Sequence, residues 1–495
     1  MAKHRRTPAP SPNRLRLAVA TATAAALTGG FFVATAGTAS AATPGVAASD
    51  ADFNGDGMAD VATSAPLANV AGHAGAGQVS VLYGGGKHTT ISQNSTGVPG
   101  SAETNDAFGS VTAYGDFDAD GYDDLAVGAP GEDVGTDKDG GTVAILFGSP
   151  NGLGGGKTLT DPRPTKHDAF GARLAVGDFA GTGFTDIAVA TPGSATIDIT
   201  PGRFTRTGPT GGSYTVSAPV QSGSTGVGIH NLHSGDVNGD HIDDLLVNGY
   251  ENDSDMGWNA NYYLPGTTTG VNASGAVKLP AGVITDIGDV DDDGYGDVVI
   301  GLEWDTDSDV PGAQLGGAVK IAHGSANGPD ASAVQTIDQD TSGVPGGGET
   351  GDDFGGELDL GDINGDGHLD LVVGSAGENL GGVADAGAIT VLYGAADGSG
   401  ITGAGAKLYS QNTPGVPNSD EKDDNFGSDV HIDDLNDDGR GDVIVGALGE
   451  NGGNGAVYSL TSKADDTLSG SAGTYVSTLG ISGSGTPLLG ATFAD

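Results

Sequence analysis

Hydrophobic positions along the chain come in short bursts of four to six residues, separated by stretches rich in Gly and Asp. Leu125-Ala126-Val127-Gly128-Ala129-Pro130 and Leu371-Val372-Val373-Gly374 are one kind of burst. A second kind follows later in each unit, as in Val79-Ser80-Val81-Leu82-Tyr83-Gly84 and again at 143–148 and 389–394. Runs of this length bounded by Gly turns predict strands, and beyond residue 41 no 3.6-residue periodicity predicts a helix.

Between the bursts a nine-residue acidic loop recurs seven times, its first Asp at 52, 116, 178, 236, 289, 362 and 434. Phe108-Gly109, Phe170-Gly171, Phe354-Gly355 and Phe426-Gly427 each stand eight residues ahead of a loop. Each repeat therefore reads as strand, acidic loop, strand, long loop, strand, turn, strand. Seven such units predict an all-β, seven-bladed β-propeller occupying residues 42–495. The first loop begins too early to have its own upstream strand. The last residues, Leu489-Gly490-Ala491-Thr492-Phe493-Ala494-Asp495, align with Phe170-Gly171-Ala172-Arg173-Leu174-Ala175-Val176 and are expected to supply it, closing the ring. Residues 46–49 are the alternative. Two separate sandwiches would leave seven equivalent loops unexplained.

The loops follow Asp-x-[Asp/Asn]-x-Asp-Gly-x-x-Asp. Their candidate metal ligands are Asp52, Asn54, Asp56 and Asp60; Asp116, Asp118, Asp120 and Asp124; Asp236, Asn238, Asp240 and Asp244; Asp289, Asp291, Asp293 and Asp297; Asp362, Asn364, Asp366 and Asp370; and Asp434, Asn436, Asp438 and Asp442. Oxygens at positions 1, 3 and 5 converge as the loop curls, and a backbone carbonyl near position 7 with the carboxylate at 9 completes a set of hard ligands. That set suits Ca²⁺ better than Mg²⁺, which demands a stricter octahedron. Plain Asn-Gly turns would not need three or four mutually repelling carboxylates. The third loop keeps only Asp178 and Asp186, with Ala180 and Thr182 between them, so about six calcium sites are expected and none at blade 3. In blade 4, His241 stands where the turn favours Gly.

Composition adds direction. Of 495 residues 91 are Gly and none is Cys, and the formal charge is −46. So acidic a chain is a poor partner for nucleic acid or an anionic membrane. Without Cys, stability must come from packing or bound ions. The first 41 residues read as a secretory signal: basic residues from Lys3 to Arg16, an Ala-rich apolar stretch, then Ala39-Ser40-Ala41. Its removal takes away five basic residues and no acid, leaving −51 on a secreted chain with no membrane span. The oligomeric state is open, a monomer being the simplest expectation.

These motifs resemble the FG-GAP repeats of the integrin alpha-subunit propeller, with Gly128-Ala129-Pro130 the cleanest terminal element. The resemblance covers roughly residues 45–495. It implies calcium loops on one face of the ring and ligand-facing loops on the other. The loops after the second strands of blades 4 and 5 carry Trp258 and Trp304, with Tyr250, Tyr262 and Tyr263 close in sequence, and aromatics there could stack on a sugar or clasp a cation. Packing between blades is the competing role. No G-x-S-x-G or H-E-x-x-H motif is present. The expected function is an extracellular binding or adhesion module for protein or carbohydrate without catalysis. A structural scaffold, or a hydrolase of the phospholipase type that carries such repeats, is the alternative. Arg440-Gly441-Asp442 spells an adhesion tripeptide, but Asp442 is also a loop ligand.

Overall fold

The acidic loops and the bursts around them fold as the periodicity predicts. A computed structural model describes residues 51–166, 168–224, 226–253 and 258–494. The signal segment and residues 46–49 lie outside them. Four-stranded antiparallel sheets succeed one another along the chain. Blade 2 is Thr112–Gly115, Asp124–Ala129, Thr142–Leu146 and Gly156–Leu159, each strand paired with the next. The inner strands of blades 3 to 7 are Arg173–Gly177, Ile229–Gly235, Ile284–Gly288, Phe354–Gly361 and Phe426–Asp433. Second strands such as Asp124–Ala129 and Asp442–Ala447 are buried at every position, because neighbouring blades cover both faces.

Blade 1 supplies three of its own strands, Val61–Ala65, Gln78–Leu82 and His88–Ile91. Its inner edge is filled by the C-terminus: Ser64 N donates to Thr492 O at 3.0 Å and Ala494 N to Ala62 O at 2.9 Å. Carboxylates tie successive inner strands together. Asp286 accepts from Leu360 N at 2.9 Å, Asp359 from Ile432 N at 2.7 Å and Asp429 from Phe493 N at 3.2 Å, so the last bond reaches the closing segment.

The Phe-Gly pairs have a steric reason. Phe108, Phe170, Phe354 and Phe426 are fully buried anchors, each contributing about 1.5–3 kcal/mol by leaving water. The glycine beside each anchor passes the second strand of the preceding blade. A Cβ on Gly128 would lie 2.1 Å from Gly171 O, and one on Gly374 would lie 2.4 Å from Gly427 O. Only glycine permits that approach. Two helical turns escape the sequence pattern, Glu450–Gly453 and Val476–Leu479. Four residues are too few to show a helical period.

Candidate functional site

In blades 2 to 7 the acidic loop joins the end of an inner strand to the start of a second strand, and in blade 1 it leads into the second strand, so all seven lie on one face of the ring. Within a loop the carboxylates do different work. The ninth-position residues Asp60, Asp124, Asp186, Asp244, Asp297, Asp370 and Asp442 are 0–2% exposed. Each also accepts an amide just beyond the third strand, as Gly148 N to Asp124 at 2.8 Å and Gly202 N to Asp186 at 2.6 Å. First-position carboxylates fold the loop over themselves: Asp116 accepts from Asp120 N at 3.0 Å and Gly121 N at 2.9 Å, and Asp178 from Thr182 N at 2.8 Å.

Oxygens from several of the four positions also converge. Carboxylate oxygens of Asp116, Asp118 and Asp124 lie within 4.8 Å of one another, as do those of Asp289, Asp291 and Asp293. One oxygen each of Asp118 and Asp291 is buried without a hydrogen-bond partner, a costly state for an anion. Hard, converging, under-satisfied oxygens fit a calcium ion. In blades 1, 4 and 7 the third-position amide of Asn54, Asn238 or Asn436 donates to the ninth carboxylate at 2.8–3.4 Å. Turning that amide over presents its oxygen instead. Burial pushes Asp124 and Asp244 up to about 8 and Asp60 and Asp370 up to about 7, with neighbouring loop carboxylates adding to the rise.

Residues outside the motif reach onto the loops, some from neighbouring blades and some from the same blade. Arg206, on the hairpin of Phe204–Thr205 and Gly208–Pro209, sits 2.5 Å from Asp120 and 3.3 Å from Asp118. His323 lies 3.2 Å from both Asp291 and Asp297, adding a nitrogen to the blade 5 cluster. Asp123 and Asp243 accept the first amide of the preceding loop, Asp52 N at 2.9 Å and Asp178 N at 2.7 Å. His241 is left-handed at φ 63°. Arg440 donates to Asn364 O, and Asp442 accepts from Ser462 N at 2.9 Å and Asn436 at 2.8 Å, so the tripeptide is folded into the ring.

The opposite face holds the aromatic residues. Trp258 and Trp304 share a half-buried apolar cluster with Ala281, Leu302 and Ala318, and Lys278 lies 6.0 Å from the Trp258 ring. Tyr250 packs edge-on against His230 at 5.4 Å. Tyr262 and Tyr263 are elsewhere, 4% and 2% exposed within the blade core, and Tyr263 reaches Asn238 at 3.2 Å toward the acidic loops. They face no ligand surface, because the strand Asn259–Leu264 is sandwiched between blades.

A pattern of buried Gln–Glu pairs also went unread. Gln93 donates to Glu132 at 2.5 Å, Gln339 to Glu378 at 2.6 Å and Gln411 to Glu450 at 2.6 Å. Each glutamine precedes a Gly-Val-Pro by a fixed spacing, at 97–99, 343–345 and 415–417. That repeat was the signal that could have found them.

The FG-GAP repeat model matches residues 45–82, 108–146, 354–392 and 426–460, which fall in blades 1, 2, 6 and 7. The chain is a β-propeller that carries FG-GAP repeats in four of its blades and is similar to integrin alpha chains. It is 34% identical to integrin alpha-PS5 of Drosophila melanogaster over 154 residues, 30% of this chain and 14% of that protein. It is 32% identical to the phosphatidylinositol-glycan-specific phospholipase D of Mus musculus over 146 residues, 29% of this chain and 17% of that one. The FG-GAP chain thus spans less than a fifth of the length of these curated relatives. Among the described residues no helix is long and apolar enough to cross a membrane.

Proposed function

We propose that the chain is a secreted, calcium-loaded propeller that serves as an extracellular binding or adhesion module for protein or carbohydrate and performs no catalysis of its own. The observation that carries the metal reading is the convergence of Asp116, Asp118 and Asp124, and of Asp289, Asp291 and Asp293, with unpartnered oxygens on Asp118 and Asp291. The four ligand positions of blades 1, 2, 4, 5, 6 and 7 hold one Ca²⁺ each, and blade 3 holds none. Calcium supplies the charge that lets these carboxylates stay ionised together, moving the secreted chain from −51 to −39. The protein's own part is to pre-shape each loop through the first- and ninth-position hydrogen bonds.

Recognition belongs to the other face, where Trp258 and Trp304 stand together on a rigid ring. The match to integrin alpha chains favours this reading. The match to a phospholipase D reaches only 17% of that enzyme, and a scaffold or associated hydrolase is the competing role. The test is the calcium-loaded chain on arrays of glycans and extracellular proteins, repeated with Trp258→Ala and Trp304→Ala. Binding that falls with the tryptophans supports the module. No binding to any array feature overturns it and turns attention to the scaffold and to a hydrolase screen.

A further inference from the structure

A cavity of about 300 Å³ opens on the face away from the acidic loops, where four inner strands begin. Arg173 of blade 3, His230 and Asn231 of blade 4, Trp304 of blade 5 and Glu357 of blade 6 are among its lining residues. Backbone irregularities set two of them: the pairing register shifts between Ile229 and Asn231 and between Phe354 and Glu357. Bulges of this kind re-aim side chains at functional rims. Most of the lining comes from blades 3 to 5, outside the segments that match the FG-GAP model.

Arg173 is an anomaly in so acidic a chain. Glu303 and Glu357 share the lining with it; its Nη1 donates to Ala172 O at 2.6 Å and its Nε has no partner. Burial pulls the guanidinium down to about 10. His230 adds no charge at neutral pH, since burial, then the nearby Arg173, hold it down to about 4. Asn231 is 3% exposed, and neither its Oδ1 nor its Nδ2 finds a partner. The Oδ1 of Asn248, also on the lining, has none either. A half-buried cation with an unsatisfied Nε beside unsatisfied amides costs stability. Such a cost is characteristic of a binding site kept ready for a polar ligand.

We infer that this cavity binds a carboxylate-bearing monosaccharide, a sugar acid, with Arg173 taking the carboxylate and the asparagines and Trp304 taking the hydroxyls and ring face. A guanidinium matches a carboxylate bidentately. Amides exchange donors and acceptors with hydroxyls, and an indole covers an apolar sugar face. The cavity volume is at the small end of ligand pockets, room for one sugar unit. This sharpens the binding-module reading and rests on it.

The test is calorimetric titration of the calcium-loaded chain with glucuronate, N-acetylneuraminate, glucose, the methyl ester of glucuronate and sodium sulfate, and then with a glycan ending in glucuronate. At least one acid should bind ten times or more tightly than its neutral counterpart, and Arg173→Gln should abolish that preference. Binding of the glycan as well as the free acid would show a terminal residue being read, and binding of the free acid alone a soluble ligand; both uphold the site. Without ligand, Arg173→Gln should melt no lower than the parent chain, whereas a purely structural arginine would lower the melt. Equal binding of acid and ester, sulfate binding as tight as any sugar acid, or no sugar acid bound overturns the proposal. Array binding that ignores Arg173 would overturn it while leaving the module intact.

Discussion

The acidic loops of blades 2 and 3 have nearly the same backbone course and opposite chemistry. Blade 2 has Asp116, Asp118, Asp120 and Asp124, whereas blade 3 keeps Asp178 and Asp186 and has Ala180 and Thr182 between them. The two survivors in blade 3 are the positions that hold the loop to the sheet: Asp178 accepts from Thr182 N and Gly183 N, and Asp186 from Gly202 N. The two losses are the third and fifth positions, whose carboxylates in blades 2 and 5 join first- and ninth-position oxygens in the converging clusters. The ninth carboxylate behaves alike in both, since burial pushes Asp186 up to about 7 and Asp124 up to about 8. On the proposed reading, the first and ninth carboxylates shape the loop with or without an ion, and the third and fifth decide whether it binds one.

Removing the ions should open the widest gap between the two kinds of loop. Chelation should lower the melting temperature strongly, because each site loaded a hundredfold above its Kd contributes about 2.7 kcal/mol. The fall should deepen with pH. Asp60, Asp124, Asp244 and Asp370 are held at about 7–8 in the metal-free fold, above their unfolded value. The folded state then holds protons the unfolded chain has released, so metal-free stability declines as pH rises from about 4 to 8. Melts in calcium and in chelator across that range check this, and equal melts would refute it.

Next in size is the split between the two pairs. Asp186→Ala should cost about 1–3 kcal/mol with or without calcium, because it leaves the Gly202 amide unsatisfied. Asp120→Ala should destabilise far more in calcium than without it, where only its exposed contacts with Arg206 and the Tyr122 amide are lost, and should remove one bound ion. A smaller change runs the other way: Ala180→Asp with Thr182→Asp should create a further site, read as one more calcium in native mass spectrometry. The smallest expected effect is His241→Gly, which relieves a left-handed side chain and should stabilise by roughly 0.5–1 kcal/mol while tightening calcium in blade 4. Denaturant melts and competitive chelator titration measure both.

Much of this was legible in the chain. Seven loop starts and the Phe-Gly pairs gave the blades, and the likeness of residues 489–495 to 170–176 gave the closing strand. What escaped depends on neighbours distant in sequence. Arg206 meets Asp118 from the next blade, and Gln93 meets Glu132 across a linker. Arg173 reads as one basic residue in an alternating strand until four blades place their edges around it. Tyr262 and Tyr263 misled because adjacency to Trp258 in sequence is not adjacency on a surface: along a strand alternate residues face opposite sides, and here both sides are covered. The dual role of the ninth Asp was also hidden, since its amide partner lies beyond the third strand.

The most direct test of the account is anomalous diffraction from crystals of the calcium-loaded protein, collected at a wavelength where calcium scatters. Peaks should appear in the loops beginning at Asp52, Asp116, Asp236, Asp289, Asp362 and Asp434, and none at Asp178. A peak of equal height at Asp178, or bare loops elsewhere, would contradict the claim that the third- and fifth-position carboxylates decide which loops bind an ion.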